Sequence, residues 1–354
     1  LSRGYFCSRR PLTSPLAAVA IRSEKLRAFS QLHLYTDLEY EMDASSLAPE
    51  PATYETAYVT SHKMACRAGA FSACGQLVAT GSVDASIKIL DVERMLAKSA
   101  PEEVDPGREQ QGHPVIRTLR SPIFRPTLSS VAYPRKSPRD AEQVLCVAFH
   151  PLGDHIIASS TQPVIRLYDV TTSACFVCPI PSHHHTRQVN SIQFSPNGKY
   201  FASGSADGSV KLWDTVSNRC FNTFINAHDG SEVCSVAFTR NSKYLLTSGL
   251  DSSIKLWELA SSRCLIQYTG AGTTGKQEHH AQAIFNHTED YVLFPDEATT
   301  SLCTWHSRSA SRCQLMSLGH NGAVRFIVHS GTAPAFLTCS DDYRARFWYR
   351  RNTH

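Results

Sequence analysis

The sequence predicts an all-β protein assembled from repeated four-stranded units, and three observations lead there. One phrase recurs: ATGSVDASIKILD at residues 79–91, ASGSADGSVKLWD at 202–214 and LTSGLDSSIKLWE at 246–258. Weaker copies run through Tyr168, Trp305 and Trp348. Aligning all six on the residue six before that aromatic or Leu90 gives Asp84, Gln162, Asp207, Asp251, Thr299 and Asp342, in steps of 78, 45, 44, 48 and 43. Within a copy the pattern alternates as in half-buried strands. Val210, Leu212 and Asp214 face one way while Lys211 and Trp213 face the other, and turns such as Ser195-Pro-Asn-Gly198 separate the strands.

A period of about 40–45 residues with this Gly-Ser-x-Asp and Trp-Asp phrase marks WD40 repeats, each supplying one blade of a β-propeller. Taken in order, residues 1–51 read as a flexible leader and 52–351 as the propeller. The leader carries Arg3, Arg9, Arg10, Arg22 and Arg27 against Glu24, superficially a mitochondrial presequence; a disordered leader is the simpler expectation. It starts at Leu1 rather than Met, so a start upstream is also expected.

Next comes Tyr54-Glu-Thr-Ala-Tyr-Val-Thr60, which alternates like a strand. The last copy supplies only three strands, over 324–330, 336–339 and 344–349. Pairing the early strand with them closes the ring and removes an exposed edge. The step of 78 holds a polar insertion at 93–112 and the Pro- and base-rich stretch 120–143, where proline cannot donate in a central ladder. The expectation is a seven-blade plan whose second blade is degenerate or missing, with an irregular region over 92–143.

A second set of residues keeps step with the Asp. His62, His185, His228 and His320 precede Asp84, Asp207, Asp251 and Asp342 by 22, 22, 23 and 22 positions, and Thr80, Ser203, Thr247 and Thr338 precede them by four. With Trp213, Trp257 and Trp348 they match the hydrogen-bond network that ties a WD40 blade together. A buried turn carboxylate needs donors, which imidazole and hydroxyl groups supply.

Composition narrows function. With 35 Lys plus Arg against 31 Asp plus Glu, the net charge of +4 is too small for coating nucleic acid by charge alone. No apolar run approaches the roughly 18 residues of a membrane span. The 12 cysteines are scattered, several inside apolar strand-like runs, which fits a reducing compartment. No catalytic constellation emerges. His183, His184 and His185 are consecutive and lack ligands at metal spacing. Cys175-Phe-Val-Cys178 sits in a strand pattern, and the Gly270–Gly275 run lacks the Lys-Ser/Thr ending of a phosphate loop. We expect no enzyme activity, no cofactor and no metal.

More specific phrases are YETAYVTSHK at 54–63, ASIKILDVERMLAKSA at 85–100, NHTEDYVL at 286–293 and CSDDYRARFWYRR at 339–351. Over about residues 36–119 and 144–351 the chain resembles the WD40-subunit (subunit 1) family of cleavage stimulation factor. The resemblance implies a non-catalytic scaffold in nuclear pre-mRNA 3′-end cleavage and polyadenylation. Implied partners are the other subunits of the factor, the C-terminal tail of RNA polymerase II and GU-rich pre-mRNA. The family carries an N-terminal helical dimerisation domain that residues 1–35 do not resemble, leaving homodimerisation open, and a complete second blade where 120–143 stand. The alternative is a substrate receptor of a ubiquitin ligase.

Binding candidates come from the residues themselves. Arg67, Arg187 and Arg325 follow the histidine loops and suit partner contact. Tyr343, Arg344, Arg350 and Arg351 interleave aromatic and basic side chains with Arg346, Trp348 and Tyr349, a mixture suited to RNA phosphate contact and base stacking; a strand end with a solvated tail is the plainer reading. The acid-free basic cluster Arg117, Arg120, Arg125, Arg135, Lys136 and Arg139 and the acidic run Asp37, Glu39, Glu41 and Asp43 read equally as solvated linkers.

Overall fold

The computed structural model describes residues 53–72, 74–99, 112–120, 144–172, 174–271, 277–312 and 315–350. The leader, the acidic run, residues 121–143 and Arg351 therefore lie outside the described residues. Strand β1 (Glu55–Ser61) comes first. Blade 1 is β2 (Cys66–Phe71), β3 (Leu77–Ser82), β4 (Ser86–Asp91) and β5 (Val115–Arg120), with helix α1 (Val92–Ser99) between the last two. Blade 2 is β6 (Val144–Phe149), β7 (His155–Ser160), β8 (Arg166–Asp169) and β9 (Cys175–Val177). Blade 3 is β10 (Val189–Phe194), β11 (Tyr200–Ser205), β12 (Val210–Asp214) and β13 (Arg219–Phe224). Blade 4 is β14 (Val233–Phe238), β15 (Tyr244–Gly249), β16 (Ile254–Glu258) and β17 (Arg263–Tyr268). Blade 5 is β18 (Ile284–Phe285), β19 (Tyr291–Asp296), β20 (Ser301–His306) and β21 (Met316–Ser317). Blade 6 is β22 (Val324–His329), β23 (Ala335–Ser340) and β24 (Arg344–Tyr349), completed by β1.

Every sheet is antiparallel and follows chain order, except that β1 joins the outer edge of β24 with Glu55 opposite Tyr349 and Ser61 opposite Arg344. The first strand thus covers an edge that the last three would leave exposed.

The described residues form six four-stranded sheets, which corrects the seven-blade plan with a degenerate second blade and agrees with the alternative in which that blade is missing. The step of 78 misled because blade 1 delays its fourth strand. Helix α1 and the residues up to 114 intervene before Val115–Arg120 returns to pair with β4, Ile87 opposite Leu119. Met95 of the inserted helix is buried in the core shared by blades 1 and 6.

A second difference concerns strand burial. Simple alternation implies one wet face, but β11, β15 and β23 are buried on both. A blade is sandwiched between two neighbours, so successive residues fill opposite cores: Leu245 packs toward blade 3 and Leu246 toward blade 5, while Phe336 packs toward blade 5 and Leu337 toward blade 1. Such cores join blades 2 to 3, 3 to 4, 4 to 5, 5 to 6 and 6 to 1. Among the described residues no buried cluster joins blade 1 to blade 2, and Ile116, Leu119, Phe149 and Phe176 are exposed there.

Candidate functional site

In blades 1, 3, 4 and 6 the turn between the second and third strands is built around one carboxylate. In blade 3 the turn between β11 and β12 places Asp207 so that Oδ2 accepts from the Thr186 N–H at 2.9 Å and from His185 Nδ1 at 3.0 Å, while Oδ1 accepts from the Ser209 N–H at 2.9 Å and its hydroxyl at 2.6 Å. His185 Nε2 meets Ser203 Oγ at 2.7 Å, and that oxygen accepts from Trp213 Nε1 at 2.9 Å. The indole can only donate, which fixes the direction of the chain: Trp N–H to hydroxyl, hydroxyl to Nε2, Nδ1–H to carboxylate. Blade 4 repeats it with Trp257, Thr247, His228 and Asp251, and blade 6 with Trp348, Thr338, His320 and Asp342. Blade 1 has Leu90 in the indole position, and His62 bonds to Thr80 and Ser86 at 2.9 Å each.

The degenerate copies use substitutes. In blade 2, Gln162 stands for the Asp and accepts from Arg166 NH2 at 3.1 Å. In blade 5, Thr299 donates to the Asp296 carboxylate and Trp305 Nε1 donates to the Thr269 carbonyl at 3.0 Å.

The carboxylates titrate accordingly. Burial by itself raises Asp84, but donation from Ser86 and from the Lys63 N–H, with His62 alongside, outweighs it and holds the carboxyl at about 2. The same balance lowers Asp207, Asp251 and Asp342. Burial depresses His185 and His320 below the ordinary imidazole range, although the partner aspartates pull the other way. A hydroxyl, an imidazole and a carboxylate in line resemble a hydrolytic triad, yet Ser203, Thr247 and Thr338 are each 0% exposed and hold an indole against the oxygen. Substrate has no path to them, so the arrangement is architectural.

The same end of the propeller carries most of the binding candidates. Arg67 Nε and Arg325 Nε grip the two oxygens of Asp341 at 3.1 and 2.7 Å, bridging blades 1 and 6. Arg187 donates to the Ala206 carbonyl at 2.7 Å and to Glu232 Oε1 at 3.0 Å, and Glu232 also meets His280 at 3.3 Å. Tyr343 takes a positive φ of 69° at the β23–β24 turn and its carbonyl accepts from the His62 N–H at 2.7 Å. That bond sets the exposed Tyr343 and Arg344 beside the exposed Lys63 and Met64.

Arg350 is elsewhere. It follows the far end of β24, where its N–H donates to the Pro334 carbonyl, about 20 Å from Tyr343 at 3.3 Å per residue. Between them Arg346 bonds to the Gly319 carbonyl and Trp348 is buried. The basic-aromatic run is therefore divided between two ends of a strand. Sequence reading missed Asp341, Glu232 and Met64; the Asp341-Asp342 doublet was the one visible signal.

His183, His184 and His185 go three ways: to the Cys220 N–H, to the Cys178 carbonyl and to the Asp207 network. The ten described cysteines are all free thiols, Cys175 and Cys178 included.

Sheets stacked around an axis, three of them locked by a full Asp, His, Ser/Thr and Trp chain, define a WD40 propeller protein. The WD domain, G-beta repeat family matches residues 54–91, 135–169, 177–214, 218–258 and 312–349; the structure adds blade 5, which that family's pattern passes over. Cleavage stimulation factor subunit 50 of Arabidopsis thaliana is 33% identical over 317 residues, covering 83% of this chain and 73% of that protein. The chain belongs to this family of WD40 subunits of cleavage stimulation factor.

Proposed function

We propose that the chain is a non-catalytic scaffold subunit of a cleavage stimulation factor complex, acting in the nucleus in mRNA 3′-end cleavage and polyadenylation. The kinship to a protein named as a subunit of that factor supports the pathway. The observation that carries the scaffold role is the rigid end surface. There Arg67, Arg187 and Arg325 are held by acidic partners while Tyr343, Arg344, Lys63 and Met64 stand exposed. Exposed aromatic, thioether and guanidinium groups on a stiff support are the composition of a protein-binding centre.

The other subunits of the factor are the first partners of this surface, and the RNA polymerase II C-terminal tail the second. GU-rich pre-mRNA is reached mainly through the assembled complex, because the basic-aromatic run is split. Affinity purification of the tagged chain tests the reading. Recovery of the other subunits, reduced at least tenfold in a Met64→Glu, Tyr343→Ala double variant with an unchanged melting temperature, is the expected result. Recovery of cullin adaptors instead, with a substrate-receptor role in a ubiquitin ligase, overturns it.

A further inference from the structure

The turn between the first two strands of a blade is closed at equivalent positions by Ser72, His150, Ser195, Thr239, Asn286 and Ser330; each N–H donates to the carbonyl five residues on. In blades 1, 3, 4 and 5 the side-chain oxygen of that residue also accepts the N–H five residues on, at 3.0–3.1 Å. Blade 2 departs from this. His150 replaces the small oxygen-bearing residue, and His155 replaces the Tyr found at this place in blades 3, 4 and 5.

His150 is held rigidly. Its side chain is 10% exposed, its ring stands edge-on to Phe194 at 5.1 Å, and Nε2 lies 3.1 Å from the Gly198 carbonyl of blade 3. A carbonyl accepts only, so Nε2 carries the proton. The Leu152 N–H points at Nδ1 from 3.4 Å, which marks that nitrogen as an acceptor.

Three electron-rich atoms now converge. Asp154 Oδ1 lies 2.7 Å from His150 Nδ1 and 3.1 Å from His155 Nδ1. That oxygen is shielded from solvent and faces the two imidazole nitrogens. An unprotonated Nδ1 and a carboxylate oxygen at 2.7 Å repel unless a proton or a metal cation sits between them. The edges of a tetrahedron around zinc, with ligand bonds of about 2.0–2.1 Å, are about 3.3 Å, so the Asp154 edges, now 2.7 and 3.1 Å, would open by about 0.6 and about 0.2 Å.

We propose that His150 Nδ1, Asp154 Oδ1 and His155 Nδ1 form a three-ligand site for a zinc-class divalent transition ion. Two imidazoles and one carboxylate select such ions over calcium or magnesium, which take mostly oxygen. The Gly198 carbonyl orients His150 as outer partners orient metal-bound histidines elsewhere. Asp154 and His155 are 46% and 33% exposed, so the ion enters from solvent and keeps a fourth position for water or a partner's side chain. The ion would pin the blade 2 turn to blade 3.

Titration of the full chain with zinc(II), against a chelating indicator, tests this. One equivalent should bind with micromolar or tighter affinity and raise the melting temperature. Cobalt(II) should give the visible absorption of a four-coordinate site. His155→Ala and His150→Ser, the latter restoring the residue of blade 3, should each weaken binding at least tenfold. His183→Ala and His279→Ala should leave it unchanged. Absence of micromolar binding, or binding equally strong in His155→Ala and His150→Ser, overturns the assignment in favour of a proton shared between imidazole and carboxylate.

Discussion

Asp207→Ala in blade 3 is the sharpest test of how the blade is held. The substitution removes a carboxylate 9% exposed that accepts from two backbone N–H groups, one hydroxyl and one imidazole. Not all four donors are stranded. Thr186 is exposed, so water reaches its N–H. The Ser209 hydroxyl oxygen lies 3.1 Å from His185 Nδ1 and can accept its N–H. The buried Ser209 N–H is left unpaired, and the imidazole loses its charged partner. At about 1–3 kcal/mol per stranded buried group, the net loss is about 2 kcal/mol. For a domain of about 300 residues, at about 2.1 cal/mol/K of unfolding entropy per residue, that lowers the melting temperature by about 3 °C. Thermal and urea melts of the purified chain read the effect, with Asp207→Asn, which keeps one acceptor oxygen, falling between. If Asp207→Ala melts within a degree of the unsubstituted chain, the carboxylate does not organise the blade.

Other expectations are independent of this one. Deleting residues 53–60 removes β1 and bares the edge of β24; the chain should lose its cooperative melt or self-associate through that edge, and an unchanged melt with a monomeric sedimentation profile contradicts the closure. Acidification should destabilise in two stages. The lowered His185 and His320 mean that the unfolded chain takes up protons first below about 6.5, and the lowered Asp84, Asp207, Asp251 and Asp342 mean the same below about 4. Stability is therefore full above about 6.5 and declines as pH falls through both windows; a urea midpoint that is flat or rises between pH 7 and pH 4 refutes the sign. Direct binding of GU-rich RNA by the isolated chain should be weak and should lose little further affinity with added salt, since few phosphates are contacted at once. A steep salt slope in a filter-binding titration would instead require a continuous basic track.

How much was legible in the sequence depended on whether a residue's partners were local in the repeat. Asp207, His185, Ser203 and Trp213 are joined within one blade, so a fixed spacing exposed the set, and the structure places the four in one hydrogen-bonded line. The strand from Tyr54 was legible because an alternating segment with no blade of its own must pair with the incomplete last copy. Six copies were legible, but how the 78-residue step is filled was not. The fourth strand of blade 1 returns only after a helix and an insertion, and a period search sees the delay as a lost blade.

The sequence by itself determined the repeat and its internal locks, because these rest on short-range spacing that the strong copies restate. Only the tertiary structure decided what the copies do to one another. Stacking buried both faces of the strands and joined Arg67 and Arg325 on Asp341 across 274 and 16 residues. It parted Tyr343 from Arg350 at the two ends of one strand and turned His150, Asp154 and His155 toward a common point. The first relations depend on packing between blades and the last two on the course of one strand and one turn, and none of these leaves a period to read.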